Sequence, residues 1–308
     1  MKKILITGGA GFIGSHLVNM LSKKNKVVVI DKLLHGNKIF NMNSNIKLVK
    51  ADIRNYKLVK KYSKNCACIF HLASVLGVDI VSKNHLETMD TEFIGTSNVC
   101  RAARANNVKK IVYTSTSGVY GKKHFNISPK EIENVAPVSS YAMAKRNSEL
   151  YLKYFNKKFK INCIAVRLFN VYGPGQDKRM VIPRIYGWAK KNKNIILYND
   201  GRQTRDFTYI DDCIKAFVLI YKKLKGYHIL NVAKGQDTKI IDLAKSIKGM
   251  TKSKSKIIFK KIPENLQEFE VRKRRGNSYT LYKKTKYKPT TSLKSGLKAT
   301  FRKIQLSL

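Results

Sequence analysis

Lys3-Ile4-Leu5-Ile6-Thr7-Gly8-Gly9-Ala10-Gly11-Phe12-Ile13-Gly14 is the stretch that decides the fold. Residues 3–7 are apolar and partly β-branched, the pattern of a buried strand. From Phe12 to about Lys24 the apolar residues return at helical spacing. The glycines between have separate tasks. Gly8 permits the tight turn, Gly11 lets a pyrophosphate approach the backbone, and Gly14 lets helix and strand pack closely. Phe12 and Ile13 lie in the first helical turn, whose free N–H groups and positive dipole end suit phosphates. A second strand, Lys26 to Ile30, ends in Asp31. A carboxylate there accepts hydrogen bonds from the adenosine ribose hydroxyls and repels a 2′-phosphate, which selects NAD over NADP. A glycine-rich turn without a ligand needs none of this order; strand, glycines, helix, strand and acid together read as a dinucleotide site.

Far downstream stands Ser139-Ser140-Tyr141-Ala142-Met143-Ala144-Lys145, followed by a helical stretch to about Lys157. Residues four apart share a helix face. A cation beside a phenol, together with the positive nicotinamide ring, is expected to draw its pKa from about 10 toward neutrality, where it can exchange a proton. The spacing alone is common in a chain rich in Tyr and Lys. It gains meaning from the preceding strand, Lys110-Ile111-Val112-Tyr113-Thr114, which runs into Ser115-Thr116-Ser117-Gly118-Val119-Tyr120-Gly121. Ligands of open α/β sheets sit at the carboxyl ends of strands, so Thr116 is placed to hydrogen-bond a reacting oxygen.

These segments, with His71-Leu72-Ala73-Ser74, Arg167–Gln176 (RLFNVYGPGQ), Gly201–Phe207 (GRQTRDF) and Tyr209–Asp212 (YIDD), resemble the extended short-chain dehydrogenase/reductases. Within them the likeness is to the NAD-dependent nucleotide-sugar epimerases and dehydratases. It is clear over about residues 1–235 and looser beyond. It implies an α/β fold: a Rossmann-type, doubly wound parallel sheet with a smaller C-terminal substrate-binding lobe. Residues 1–170, rejoined by 207–233, would bind NAD; 171–206 and 234–308 would bind the nucleotide sugar.

The resemblance also implies roles. Tyr141 would take the proton of the sugar 4-hydroxyl while NAD takes the C4 hydride. Lys145 would hold the nicotinamide ribose and tune Tyr141, and Thr116 would assist. The hydride would return to the other face of a transient 4-ketose, inverting C4 and leaving NAD as it began. Asp52-Ile53 would frame the adenine, and Leu72-Ala73-Ser74 would pass beneath the cofactor. Asn170 and Arg205 would hold the diphosphate, a task suited to a guanidinium. Ile182 and Tyr198 would pack the base, expected to be uracil of a UDP-hexose. A later family arginine has no clear counterpart: Gln267 falls near its place, with Arg272 or Arg274 as substitutes. Dehydratases carry Asp-Glu after the catalytic Thr, and UDP-glucuronate decarboxylases usually have Glu where Gly118 stands. Ser117 and Gly118 cannot do that acid–base work, so 4-epimerisation is favoured over decarboxylation or another family epimerase or reductase.

His71 invites a metal or base reading in isolation, but its motif puts it at a strand end in packing. No metal is expected. The five cysteines are odd in number, and Cys66-Ala67-Cys68 lacks zinc spacing, which fits reduced thiols in a cytoplasmic protein. No apolar run is long enough to span a bilayer, and the basic, apolar start is the phosphate turn rather than a secretion signal. A 308-residue chain can bury a large core. The net charge of +43, with only 19 acidic residues, fits least well. It raises a reading of another class, a Rossmann-scaffold protein that binds nucleic acid. The abundant Lys, Asn and Ile point instead to compositional bias, and Tyr141, Lys145 and Thr116 speak for an enzyme. By resemblance, helices near residues 85–106 and 139–157 would form a homodimer.

Overall fold

The computed structural model describes residues 1–75, 77–122 and 135–305. The strands, in chain order, are β1 (Lys2–Thr7), β2 (Asn25–Asp31), β3 (Ile46–Lys50), β4 (Cys66–His71), β5 (Lys110–Thr116), β6 (Asn162–Leu168), β7 (Asn170–Tyr172), β8 (Ile195–Tyr198), β9 (Thr204–Tyr209), β10 (Tyr227–Val232), β11 (Asp237–Lys239) and β12 (Ile257–Lys260). The helices are α1 (Phe12–Leu21), α2 (Tyr56–Ser63), α3 (Val78–Val81), α4 (His85–Ala105), α5 (Ser140–Phe159), α6 (Val181–Lys190), α7 (Ile210–Lys223), α8 (Ile240–Met250), α9 (Tyr279–Thr285) and α10 (Leu293–Gln305).

Seven strands form one parallel sheet in the order β10-β6-β5-β4-β1-β2-β3. The chain winds outward from β1 in one direction through β2 and β3, then in the other through β4, β5 and β6. The reversal leaves a switch point between β1 and β4, where a crevice opens at the carboxyl ends. Side chains alternate across each strand, so both faces must be covered. Ile4, Ile6, Val27, Val29, Phe70 and Val112 enter one core with residues of α1 and α7. Leu5, Val28, Ile30, Ile69, Ile111 and Tyr113 enter the other, with residues of α2, α4 and α5.

The C-terminal half adds two small sheets, β11-β9-β7 and β12-β8. β11 ends at Lys239, and α8 begins at Ile240. Thr238 pairs with Arg205 across the small sheet, a long-range contact that local helical patterning does not reveal.

A buried ion pair fixes α5 against the large sheet. Arg167 on β6 donates from Nε and Nη2 to the two carboxylate oxygens of Glu149, each at 2.7 Å. Ser115 donates to the same carboxylate at 2.6 Å, and Arg146 at 3.0 Å. Both Arg167 and Glu149 are fully buried. Removing one member of such a pair leaves the other buried and under-compensated. Arg167→Leu is therefore expected to cost about 3–5 kcal/mol, read as a lower urea midpoint. A loss under about 1 kcal/mol would show that packing alone holds the helix.

Candidate active site

The phosphate end of the site is built by backbone. Gly8 has φ +69°, a left-handed conformation, and a Cβ there would meet the backbone N of Ala73 at 2.5 Å. A Cβ on Gly14 would run into the Gly8 carbonyl, so α1 lies hard against the turn. Gly11 faces open space apart from the Gly8 carbonyl at 3.3 Å. It is the N-cap of α1 and gives no side-chain cap, and no acid stands in the first turn. The leading N–H groups of α1 are thus without a side-chain partner and suited to an anion. This cradle fits the diphosphate of a dinucleotide.

Asp31 ends β2 beside it. Its carboxylate accepts from Ala10 N at 3.0 Å and Leu33 N at 2.8 Å, which fixes its position at the crevice. A single cavity of about 680 Å³ runs from this cradle to the small sheets. Its walls include Gly8, Gly11, Phe12, Ile13, Gly14, Asp31, Ile53, Leu72, Ala73 and Ser74 at one end, and Tyr141, Lys145 and Thr116 in the middle. Asn170, Ile182, Tyr198 and Arg205 line the other end. Asp52 is the exception. It does not line the cavity, because its carboxylate turns to Arg54 at 2.7 Å and Lys32 at 3.3 Å; Ala51 and Ile53 take the wall positions.

Tyr141 lies in the first turn of α5, capped by Ser139, whose hydroxyl accepts from Ala142 N at 3.3 Å. Lys145 follows one turn later, its ammonium 5.6 Å from the centre of the Tyr141 ring. A counter-charge lies beside this pair. Lys145 Nζ donates to the Thr114 carbonyl at 2.9 Å and meets Glu92 Oε1 at 3.1 Å. Its charge is therefore neutralised locally. Burial foremost, then the Glu92 carboxylate, pushes the Tyr141 phenol above its usual range, with a Ser74 hydrogen bond offsetting part. Burial also lowers Lys145, against the pull of Glu92. Glu92, fully enclosed on α4, was not foreseen from the sequence, where it is one acid in a helix with no motif around it.

Thr116 lines the cavity while its Oγ1 accepts from Gly118 N at 3.1 Å. The Arg205 guanidinium donates to Thr204 O at 2.9 Å and Val271 O at 2.5 Å, and lies 3.7 Å from Glu270. Neither substitute for the late arginine reaches the wall. Exposed Arg272 is held by Asp200 at 2.7 Å, and buried Arg274 donates to the Gly121 carbonyl. Arg184 on α6 does line the cavity, and its buried Nε has no hydrogen-bond partner. Only the helical phase of α6 puts it there.

His71 is structural, as its motif suggested. Its ring contacts Thr7 Oγ1 at 2.7 Å and Thr96 Oγ1 at 3.1 Å. Burial, then Lys145, drops its pKa to about 3, so it is neutral. Among the described residues no group of side chains could hold a metal ion, all five cysteines are buried and free, and no helix is long and apolar enough to cross a membrane.

A glycine cradle at a switch point, with a tyrosine–lysine pair along the same crevice, defines a Rossmann-type fold made to use a dinucleotide. Residues 4–233 match the model of the NAD dependent epimerase/dehydratase family. A Methanocaldococcus jannaschii relative with a provisional UDP-glucose 4-epimerase name is 33% identical over 307 residues, covering 96% of each chain. A UDP-N-acetyl-alpha-D-glucosaminuronate decarboxylase of Bacillus cytotoxicus is also 33% identical, over 322 residues and 99% of each. The crystal structure of Thermotoga maritima UDP-glucose 4-epimerase with UDP-glucose superposes with a TM-score of 0.92 at 29% identity, covering 99% of both chains. The chain belongs to the NAD-dependent epimerase/dehydratase family of extended short-chain dehydrogenase/reductases, whose members act on nucleotide sugars.

NAD is the cofactor of this family, and Asp31 at the crevice suits its unphosphorylated ribose. Asp31→Ala is expected to narrow the preference for NAD over NADP by about tenfold, roughly 1.4 kcal/mol, measured as the ratio of the two dissociation constants. An unchanged ratio would remove Asp31 from cofactor selection.

Proposed function

We propose that the protein epimerises a nucleotide-activated hexose, a UDP-sugar, at C4 through a transient 4-keto sugar. The observation that supports this reading is the shared cavity, which Tyr141, Lys145 and Thr116 line together with the glycine cradle and Arg205. Bound NAD supplies hydride uptake from, and return to, the sugar carbon. The protein's part is orientation and proton handling. Tyr141 takes the 4-hydroxyl proton and gives it back, Thr116 hydrogen-bonds the same oxygen, and Lys145 steadies the cofactor ribose. Residues 1–170 and 207–233 serve the cofactor; 171–206 and 234–308 serve the nucleotide sugar. There Asn170 and Arg205 face the diphosphate, with Arg184, whose buried Nε has no hydrogen-bond partner, as a further cation, and Ile182 and Tyr198 flank the base.

Decarboxylation of a UDP-uronate is the second reading, supported by the 33% identical Bacillus cytotoxicus relative. It shares oxidation at C4 but needs an acid–base group at C5. The residue two after Thr116 is Gly118, where a Cβ would sit 3.4 Å from both Ala142 Cβ and Thr116 Oγ1. The lack of a carboxylate at that position favours epimerisation.

The test is a panel of sugar nucleotides incubated with one purified sample, following interconversion of UDP-glucose with UDP-galactose, their N-acetyl forms and the uronates. Carbon dioxide release in place of C4 inversion would overturn the epimerase reading. Tyr141→Phe is expected to retain NAD and sugar nucleotide yet lose turnover on the order of 1,000-fold; near-normal turnover would refute the role given to the phenol.

A homodimer through α4 and α5 is part of the same reading. Leu86, Ile94, Met143, Leu150 and Tyr154 on these helices are large and apolar, yet exposed. Light scattering should give twice the 35.2 kDa chain mass; a monomer at micromolar concentration would overturn it.

A further inference from the structure

Glu92 is a buried acid near the reacting centre that the mechanism above leaves unused. It sits on α4 beneath the crevice with all of its carboxylate engaged. Oε1 receives Ser74 Oγ at 2.5 Å and lies 3.1 Å from Lys145 Nζ, while Oε2 receives the Tyr113 hydroxyl at 3.0 Å. Ser74 lines the same cavity as Tyr141, and the ammonium that Glu92 meets lies 5.6 Å from the centre of the Tyr141 ring.

We propose that Glu92 is a positioning residue that anchors Lys145 below the crevice and sets how readily the Tyr141 phenol ionises. This rests on the reading of Tyr141 as the proton-handling group. From the phenol's side, the ammonium and the carboxylate form a pair of no net charge. Lys145 favours the phenolate only to the extent that Glu92 does not cancel it. Moving the ammonium toward a cofactor ribose would leave Glu92 with two hydroxyl donors and no cation, a costly state for a buried anion. Glu92 thus opposes two steps at once, release of Lys145 and ionisation of Tyr141.

The other groups around this cluster do not take over that part. His71 on β4 is neutral and tied to Thr7 and Thr96. Tyr113 on β5 has its phenol pushed far up by burial and by Glu92, so it remains a donor. Glu149, which also acts on Lys145, is committed to Arg167, Arg146 and Ser115. Glu92 is the carboxylate that meets Lys145 beside the Tyr141 ring.

The experiment reads Tyr141 directly, without turnover. Ligand-free wild type and Glu92→Gln are titrated by near-ultraviolet tyrosinate absorbance, subtracting Tyr141→Phe in each background so that one phenol is seen. The sign follows from charge: a nearby anion raises a phenol's pKa, and a neutral amide removes that effect. In wild type Tyr141 should ionise above the ordinary tyrosine value of about 10. In Glu92→Gln the midpoint should fall by about one pH unit or more, a tenfold rise in the ionisation constant. An unmoved midpoint in a folded variant would overturn the proposal, since a packing role alters stability and not this titration. Should the variant fail to fold, wild type decides. A ligand-free midpoint at or below that of free tyrosine, or one that NAD does not lower, would equally overturn it. Turnover surviving in Tyr141→Phe would refute the C4 reading and leave the titration standing, so the two ideas fail separately.

Discussion

The Arg167–Glu149 pair is the constraint on which the geometry of the site depends. The glycine cradle is anchored by its own strand and helix, close in sequence. Tyr141 and Lys145 come from a helix whose place on the sheet no local rule dictates. Two parallel hydrogen bonds from a buried guanidinium to a buried carboxylate allow one register of α5 on β6, and Ser115 ties β5 to the same carboxylate. A slip of one residue would break both bonds and rotate Tyr141 away from the crevice. A buried ion pair is weak evidence for stability, but it resists alternative packings. Here that resistance keeps the reactive end of α5 near the ends of β4 and β5.

What was legible in the sequence depended on how local each signal is. Gly8, Gly11, Gly14 and Asp31 act through backbone turns and a strand end within one βαβ unit, so order along the chain carries their meaning. Tyr141, Lys145 and Thr116 could be paired because a motif joined them. Asp52 was expected to frame the adenine, but Arg54 and Lys32 hold its carboxylate, contacts that order along the chain does not show. Glu92 was invisible because its partners come from three separate segments: the loop after β4, then β5 and α5. Arg184 depended on the rotation of α6, and the short strand β11 on a partner more than thirty residues earlier. The counter-charge that the fold supplies to Lys145 was hidden for a related reason: Glu92 lies far from it in sequence.

The net charge of +43 finds a modest place in this picture. A sugar nucleotide is an anion through its diphosphate. Its capture by a cationic protein is accelerated by long-range attraction that salt screens. The charge concerns encounter; discrimination among sugars rests on the few groups that line the cavity.

The position of β10 bears on how the protein is made. It covers the free edge of β6, yet almost sixty residues of β7, α6, β8, β9 and α7 are synthesised between the two strands. A chain emerging from the ribosome therefore holds β6 as an unprotected edge until Val232 has left the exit tunnel. Bare strand edges invite pairing with other chains. The nascent polypeptide is most prone to aggregation in that interval, and a fragment cut before Tyr227 would inherit the same exposed border.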